Sequence, residues 1–175
     1  MTPRELEEYR ALRDTIRERG TTRVWMVLAG LVGWAGLAVA TFALAPFPAA
    51  TVLPLLVLGA AFEIVFALHT GVERIGRYLQ VFHEEASGWE HTAMAFGQKF
   101  PAGGTDPLFA NFFRIAAVLN FIPAAFAKPL PIEWTIIGAI HVLFIVRVEA
   151  ARRQASRQRA IDLDRFQQLK RDAHP

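Results

Sequence analysis

Residues 24–45 read VWMVLAGLVGWAGLAVATFALA, which is a stretch of 22 residues without a charge. A helix rises 1.5 Å per residue, so this stretch is long enough to cross the hydrocarbon core of a bilayer, which is about 30 Å thick. Trp25 lies at one end, where its amphipathic indole ring favours the membrane–water interface. The stretch therefore predicts a transmembrane helix, and the arrangement of the rest of the chain follows from it.

Three further apolar runs follow, at residues 51–68, 108–127 and 132–146. The last is only 15 residues long and spans a bilayer only if Glu133 and Trp134 lie in the interface. Prolines separate the runs within each pair, at Pro46-Phe47-Pro48 and at Lys128-Pro129-Leu130-Pro131. Proline lacks the backbone donor that a helix needs and clashes with the preceding turn, so both sites predict tight turns. The pattern predicts two transmembrane hairpins.

The Lys and Arg residues decide the orientation of these hairpins. Six precede the first run, three lie between the second and third, Arg114 lies near the predicted cytoplasmic end of the third, and eight follow the fourth, so that only Lys128 of the 19 lies in a turn between paired runs. Cations are retained on the cytoplasmic side of a membrane. The chain is therefore predicted to be an all-α membrane protein with four transmembrane helices in two in–out–in hairpins. Both termini are cytoplasmic, with long helical extensions, and the location is the cell membrane.

This orientation divides the chain into five segments, three of which are cytoplasmic. Residues 71–86 carry an apolar stripe at helical spacing, so the second apolar run is expected to continue into the cytoplasm as an amphipathic helix. Gly88 and the glycines and prolines of 101–107 predict a looped or partly helical return. The segments are a cytoplasmic N-terminal helix at 1–23, a first transmembrane hairpin at 24–70, a cytoplasmic amphipathic helix and loop at 71–107, a second transmembrane hairpin at 108–147, and a cytoplasmic C-terminal helix at 148–175.

Composition limits the partners and cofactors. The chain is 53% hydrophobic and its cations flank the apolar runs, so its basic pI of about 9.8 indicates contact with anionic lipid rather than nucleic acid. Cysteine is absent, which excludes disulfides, iron–sulfur clusters, thiolate zinc sites and cysteine-linked haem. Haem held between membrane helices would need two axial ligands, and His69 and His141 are predicted to lie at different depths. No cofactor is indicated.

Three polar residues within the apolar runs form the first candidate site. Glu63 lies six residues from His69, Asn120 six from Arg114 and His141 six from Arg147. These reference residues mark the predicted cytoplasmic edge, so the three polar residues are expected at a similar depth. Ionisable groups inside membrane spans cost about 2.5–3.5 kcal/mol on insertion scales and usually have a role. One interpretation is a proton-accepting or ion-coordinating layer. The other, which we prefer, is hydrogen bonding between helices, at about 0.6 kcal/mol per bond.

A second candidate site is the pair His69 and Glu73 at the predicted membrane exit. Their i, i+4 spacing places both side chains on one helical face, where they can reach a common metal ion or form a single hydrogen bond. Two ligands do not make a metal site, so a structural pair is the preferred interpretation.

A third group concentrates imidazoles and carboxylates around Trp89. Its spacing places His83 and Glu90 on one helical face, provided that Gly88 does not interrupt the helix. Side chains of these types bind iron or zinc, although a solvated acidic face is the simpler interpretation. The weak metal candidates are His83, Glu84, Glu90 and His91.

The sequence favours a non-enzymatic function. It contains no nucleophile elbow, no phosphate-binding glycine loop and no His-Glu-x-x-His motif. The expected function is that of an assembly or accessory membrane protein, which self-associates or binds a membrane-protein partner through its helices. The alternative is a small oligomeric ion or proton channel lined by the layer of Glu63, Asn120 and His141.

Overall fold

The structure is a computed structural model that describes residues 2–45, 47–85, 87–100 and 106–173. Pro46 of the first predicted turn and residues 101–105 of the predicted loop lie outside these ranges. All regular structure within the described ranges is helical, as the sequence predicts. The helices are α1 (Pro3–Leu44), α2 (Val52–Phe82), α3 (Trp89–Lys99), α4 (Ala110–Phe126) and α5 (Pro131–Ala173), with a 3₁₀ turn (Pro48–Thr51) before α2.

Three of the helices are long and apolar enough to cross a membrane. These are α1, α2 together with its preceding 3₁₀ turn, and α5. The apolar helix α4 has 17 residues, which corresponds to about 25 Å at 1.5 Å per residue. The run at 108–127 begins as a helix only at Ala110, because Phe109 adopts a left-handed conformation with φ of 52°. Phe109 thereby turns the chain into α4.

The apolar runs continue into charged segments in α1, α2 and α5, each of which is one uninterrupted helix. A helix satisfies its backbone hydrogen bonds internally, so it can pass from an apolar to an aqueous environment without a break. At the start of α1, the Thr2 amide donates to the Glu5 carboxylate at 2.6 Å and the Glu5 amide donates to Thr2 Oγ1 at 3.3 Å. This reciprocal capping satisfies two amides that the helix itself cannot pair.

The chain divides into two compact units. The first, here called the charged unit, comprises Met1–Thr22, Ala67–Asp106 and Arg153–Pro175. The second, here called the apolar unit, comprises Arg23–Phe66 and Pro107–Arg152. Segments of α1, α2 and α5 contribute to both units, α3 belongs to the charged unit and α4 to the apolar unit.

Aromatic contacts and one close helix approach hold the apolar unit together. Phe62 is fully buried and meets Phe113 edge-on, with ring centroids 5.2 Å apart. A Cβ atom added at Gly30 would collide with the Ala61 side chain, so α1 and α2 approach closely at this glycine. The small size of glycine is therefore required here, because any side chain would push the two backbones apart.

An aromatic cluster and the fully buried Leu79 form the core of the charged unit. The Tyr78 ring packs against Phe82 on its own helix and against Phe166 of α5, with centroids 4.9 and 5.7 Å away. Lys170 Nζ donates to the Val81 carbonyl at 2.5 Å. These contacts join the C-terminal part of α5 to the C-terminal part of α2.

Candidate functional site

Asn120 on α4 is the centre of a polar cluster in the apolar unit. Its side chain is buried, with 3% of the residue exposed. Trp34 Nε1 on α1 donates to Asn120 Oδ1 at 3.1 Å, and Asn120 Nδ2 donates to the Thr51 carbonyl at 2.7 Å. Nδ2 also lies 3.0 Å from His141 Nε2 on α5. Asn120 therefore links α1, α4, α5 and the 3₁₀ turn before α2.

The hydrogen bonds of His141 fix its tautomer. His141 Nδ1 lies 2.8 Å from the Ile137 carbonyl, which can only accept, so Nδ1 carries the proton. Nε2 is then the acceptor for the amide of Asn120. A neutral imidazole satisfies both contacts, and its ring packs edge-on against Phe121. The cluster is complete without a bound ion.

Glu63 is separated from this cluster, although the sequence predicts a layer of three residues. Its carboxylate Oε2 lies 2.7 Å from Nη2 of Arg147 on α5, and its side chain is about half exposed. Depth along a helix does not determine the direction in which a side chain points, and Glu63 is one position from the buried Phe62, about 100° around α2. The predicted layer of three residues requires Glu63, which lies outside the cluster and contacts Arg147. Asn120 and His141 instead form hydrogen bonds between helices.

Sequence reasoning missed two members of the polar cluster. Trp34 lies among apolar residues, and none of its sequence neighbours indicates a polar contact. Thr51 takes part through its backbone carbonyl, which every residue has, so its side-chain type does not predict the contact. An indole N–H in an apolar run generally requires a hydrogen-bond acceptor. This requirement was the one indication in the sequence that Trp34 has a polar partner. Asn120 supplies that acceptor.

The charged unit contains a second group of interacting polar residues, centred on Arg13 of α1. Its guanidinium contacts the Glu84 carboxylate through Nη2 and lies 2.6 Å from Glu90 Oε1 through Nη1. Glu84 also accepts the backbone amide of Glu90 at 2.8 Å, which satisfies an otherwise free donor in the first turn of α3. Arg13 thereby joins α1 to the start of α3.

The same network extends to α2 and α5. Arg77 is buried and lies 3.4 Å from Glu90 Oε2, and its Nη1 donates to Gln80 at 2.8 Å. Arg159 Nε on α5 lies 2.7 Å from Glu73 Oε2, too far from the N–H direction for a hydrogen bond, so the contact is an ion pair. The two arginines and the two glutamates line a cavity of about 490 Å³. These four side chains are paired with one another, so they leave no excess charge for an ionic ligand.

The candidate metal ligands do not share one helical face. α2 ends at Phe82 and Gly88 is the residue before α3, so His83 and Glu90 lie on different elements. A side chain at Gly88 would meet the Glu84 side chain, so the close approach at this break requires glycine. In the described ranges, no group of three or more His, Asp or Glu side chains is placed to hold a metal ion.

The individual metal candidates have other partners. His83 Nε2 lies 3.8 Å from Glu8 Oε1, and His91 contacts both the side chain and the carbonyl of Gln80. Glu84 and Glu90 are buried ion-pair partners of Arg13, which replaces the predicted solvated acidic face. Burial became possible because the arginines neutralise both carboxylates.

Both residues of the predicted exit pair lie on α2 in the charged unit. His69 is buried, with 2% of the residue exposed. Glu73 forms its ion pair with Arg159, and Arg77 Nη2 lies 3.9 Å from the same carboxylate oxygen. Glu73 on α2 is therefore connected to α5 through Arg159.

Two residues of the charged unit have shifted pKa values. Burial raises the pKa of Tyr78 above its ordinary value, and the hydrogen bond that its hydroxyl donates to Glu8 at 2.8 Å raises it further. Burial acts to lower the pKa of Arg13, but hydrogen bonds to Tyr9 and Glu90 outweigh burial and raise it. Both shifts favour the protonation states that hold the charged unit together.

Comparisons with protein-family models, with curated proteins and with solved structures found no match to this chain.

Proposed function

We propose that this chain is a multi-pass protein of the cell membrane that crosses the bilayer four times with both termini in the cytoplasm. It acts without catalysis, as an assembly or accessory protein that binds a second copy of itself or another membrane protein through its helices. The observation that carries this proposal is the uncovered apolar surface of α1 and α5. Only 11% of the apolar part of α1 and 22% of that of α5 is buried within the chain, against 44% for α2.

Apolar surface of this extent requires an apolar surrounding. Val32, Val39 and Leu143 are each more than three-fifths exposed, and no polar stripe alternates with them. In water such contiguous patches are rare on single chains, whereas lipid tails or another membrane helix cover them without cost. This supports a membrane location and leaves helix surfaces available for a partner.

The fourth span is α4, and its short length is compatible with a bilayer. A helix of about 25 Å is accommodated by local thinning of the membrane or by flanking residues that reach its surface. Arg114 lies in the first turns of α4 and is 3.6 Å from Glu149, so its charge is paired. The distribution of Lys and Arg supports the orientation with both termini inside.

One face of α1 is suited to a second helix. Gly36 has no atom within 4 Å of the place where a Cβ would stand, and Ala29, Gly33 and Ala40 on the same face are also exposed. Small residues four apart let two helix backbones approach closely. This face supports self-association, which is the first partner to test.

Reporter fusions test the topology. A reporter joined after Pro175 should be active only in the cytoplasm, and one inserted at Phe47 should be active only on the other side. The opposite result at either position would contradict the four-span arrangement.

A pair of glycine variants tests the association. The mass of the assembly in bilayer nanodiscs or mild detergent should fall to that of one chain in Gly36→Leu, because leucine keeps the second backbone at a distance. Gly59→Leu is the matched control, since Gly59 on α2 also has open space where a Cβ would stand. Equal assembly masses for wild type and Gly36→Leu would exclude this face, and a monomeric wild type would exclude self-association.

A further inference from the structure

A cavity of about 290 Å³ lies in the apolar unit, between the C-terminal end of α1, the 3₁₀ turn and α4. Its walls include the small residues Ala38, Ala45 and Ala50. Phe42, Phe47 and Phe126 lie at its rim and are all exposed. The cavity is therefore a mostly apolar site that opens onto the apolar surface of the same unit.

The polar groups that line the cavity have partners within the protein. Thr41 Oγ1 donates to the Leu37 carbonyl at 2.8 Å, and Thr51 Oγ1 donates to the Pro48 carbonyl at 2.8 Å. Both amide hydrogens of Asn120 are used by Thr51 and His141, and its carbonyl oxygen accepts from Trp34. The side-chain donors of the floor are therefore all used within the protein, so a ligand that needs a hydrogen-bond donor, such as a carboxylate or phosphate, finds none there.

Size and polarity distinguish between the possible occupants. Water is not stable in an apolar cavity whose polar groups are already satisfied. A helix from a second copy is rigid and about 10 Å across, so it can lie over the opening, but only its side chains can enter a cavity of about 290 Å³. A hydrocarbon chain is thinner, needs no polar partner and is the solvent of the exposed apolar surface that continues from the rim.

We infer that this cavity is a lipid site that takes one acyl chain of a phospholipid. The inference rests on the membrane location proposed above and adds a specific ligand to it. The cavity lies beside the proline turn that joins the first two apolar runs, so the chain comes from the leaflet on the non-cytoplasmic side. Bound in this way, the acyl chain fills the gap between α1 and α4 and covers the floor formed by Asn120.

Photocrosslinking tests this site directly. The full chain is placed in liposomes of phosphatidylcholine that carries a diazirine near the end of one acyl chain, and labelled peptides are identified by mass spectrometry. Labelling should concentrate on peptides that contain residues 38–54 and 120–127, above the labelling of the exposed face of α5. Even labelling of all exposed apolar faces would overturn the lipid site but leave the membrane location intact. A chain that stays out of the liposomes would contradict the membrane location itself.

Substitutions that fill the cavity, with one control, sharpen the test. Ala38→Phe places a ring in the cavity and should abolish the excess labelling of residues 120–127. Ala60→Phe is the matched control, because Ala60 is an exposed alanine on α2 in the same unit and neither lines the cavity nor belongs to the α1 face proposed for self-association. Ala45→Phe fills the same cavity from another position and replaces Ala38→Phe if that variant does not fold. Unchanged labelling in a folded filling variant would overturn the inference.

Discussion

Arg147 on α5 binds Glu63 on α2, with Nη2 2.7 Å from Oε2. The guanidinium also lies over the Phe66 ring, 5.0 Å from its centroid. The one carboxylate within the second apolar run is therefore neutralised by a cation from a helix that is distant in sequence. This relationship removes Glu63 from the polar cluster of Asn120 and assigns to it a role in holding α2 and α5 together.

Removal of Arg147 should be more damaging than removal of the whole pair. Arg147→Met leaves the Glu63 carboxylate without its partner beside apolar surface, at a cost of up to about 3 kcal/mol. The double variant Glu63→Gln/Arg147→Met has no unpaired charge and should recover most of this loss. The free energy of unfolding in a detergent titration measures all variants.

Arg152→Met is the control for this cycle, because Arg152 lies on the same helix and forms only a partly exposed pair with Glu149. Its loss should cost less than about 1 kcal/mol. If Arg147→Met and the double variant were equally stable, the pair would not contribute to the association of α2 with α5.

Substitution of Asn120 should weaken the apolar unit. Asn120→Leu keeps a similar volume but removes the partner of Trp34 Nε1 and His141 Nε2, and unsatisfied buried groups cost about 1–3 kcal/mol. Trp34→Phe removes a single hydrogen bond, so its loss should be closer to about 0.6 kcal/mol. Thermal or detergent unfolding should rank the variants in this order, and an Asn120→Leu protein as stable as wild type would show that the cluster is dispensable.

Arg13 should be essential for the charged unit. Arg13→Met leaves Glu84 and Glu90, whose side chains are 6% and 11% exposed, with one cation fewer, and removal of one partner from a buried ion pair costs about 3–5 kcal/mol. Amides of α3 should then exchange with solvent faster, since Glu84 caps this helix only when it is held in place. Hydrogen–deuterium exchange measures this change.

Arg17→Met is the matched control on the same helix, because the Arg17 side chain is 81% exposed and pairs only with Asp14. Its effect should be below about 1 kcal/mol. Rescue should follow in Arg13→Met/Glu84→Gln, because Glu84 is the carboxylate that loses its cation, whereas Glu90 still has Arg77. Equal exchange in the Arg13 and Arg17 variants would contradict the bridging role.

Tyr78 should ionise above pH 10, its ordinary value, because the fold favours the neutral hydroxyl. A folded-state pKa above the unfolded value contributes stability that is fully present below about pH 10 and is lost as the pH rises through the folded value. In Tyr9→Phe, tyrosinate absorbance reports Tyr78 alone, since the chain has two tyrosines. The same chain unfolded in detergent gives the reference.

Glu8→Gln tests the causes of this shift. It removes the charged acceptor of the Tyr78 hydroxyl, so the pKa should fall only part of the way towards 10, because burial is the larger cause. A pKa equal to that of the unfolded chain in Tyr9→Phe would show that Tyr78 is neither buried nor hydrogen-bonded to Glu8.

The sequence was sufficient to predict the helices and several of their limits. Uncharged length predicts apolar helices such as the segment 24–45 of α1, and unbroken helical periodicity predicts that α2 continues beyond the apolar run. Equal depth of Asn120 and His141 indicates that they can meet, and they lie 3.0 Å apart. These properties are local, because they depend on residues within a few helical turns of one another.

The tertiary structure decided which side chains face one another. Periodicity fixes the angle between residues of one helix, but the rotation of each helix against its neighbours depends on packing, such as the close approach at Gly30. The same rotation turned Glu63 towards Arg147 and brought Arg13 to Glu84, which is 71 positions away in the chain. With 19 cations and 16 carboxylates available, only the packed arrangement selects the pairs, because each ion pair needs contact within a few ångströms.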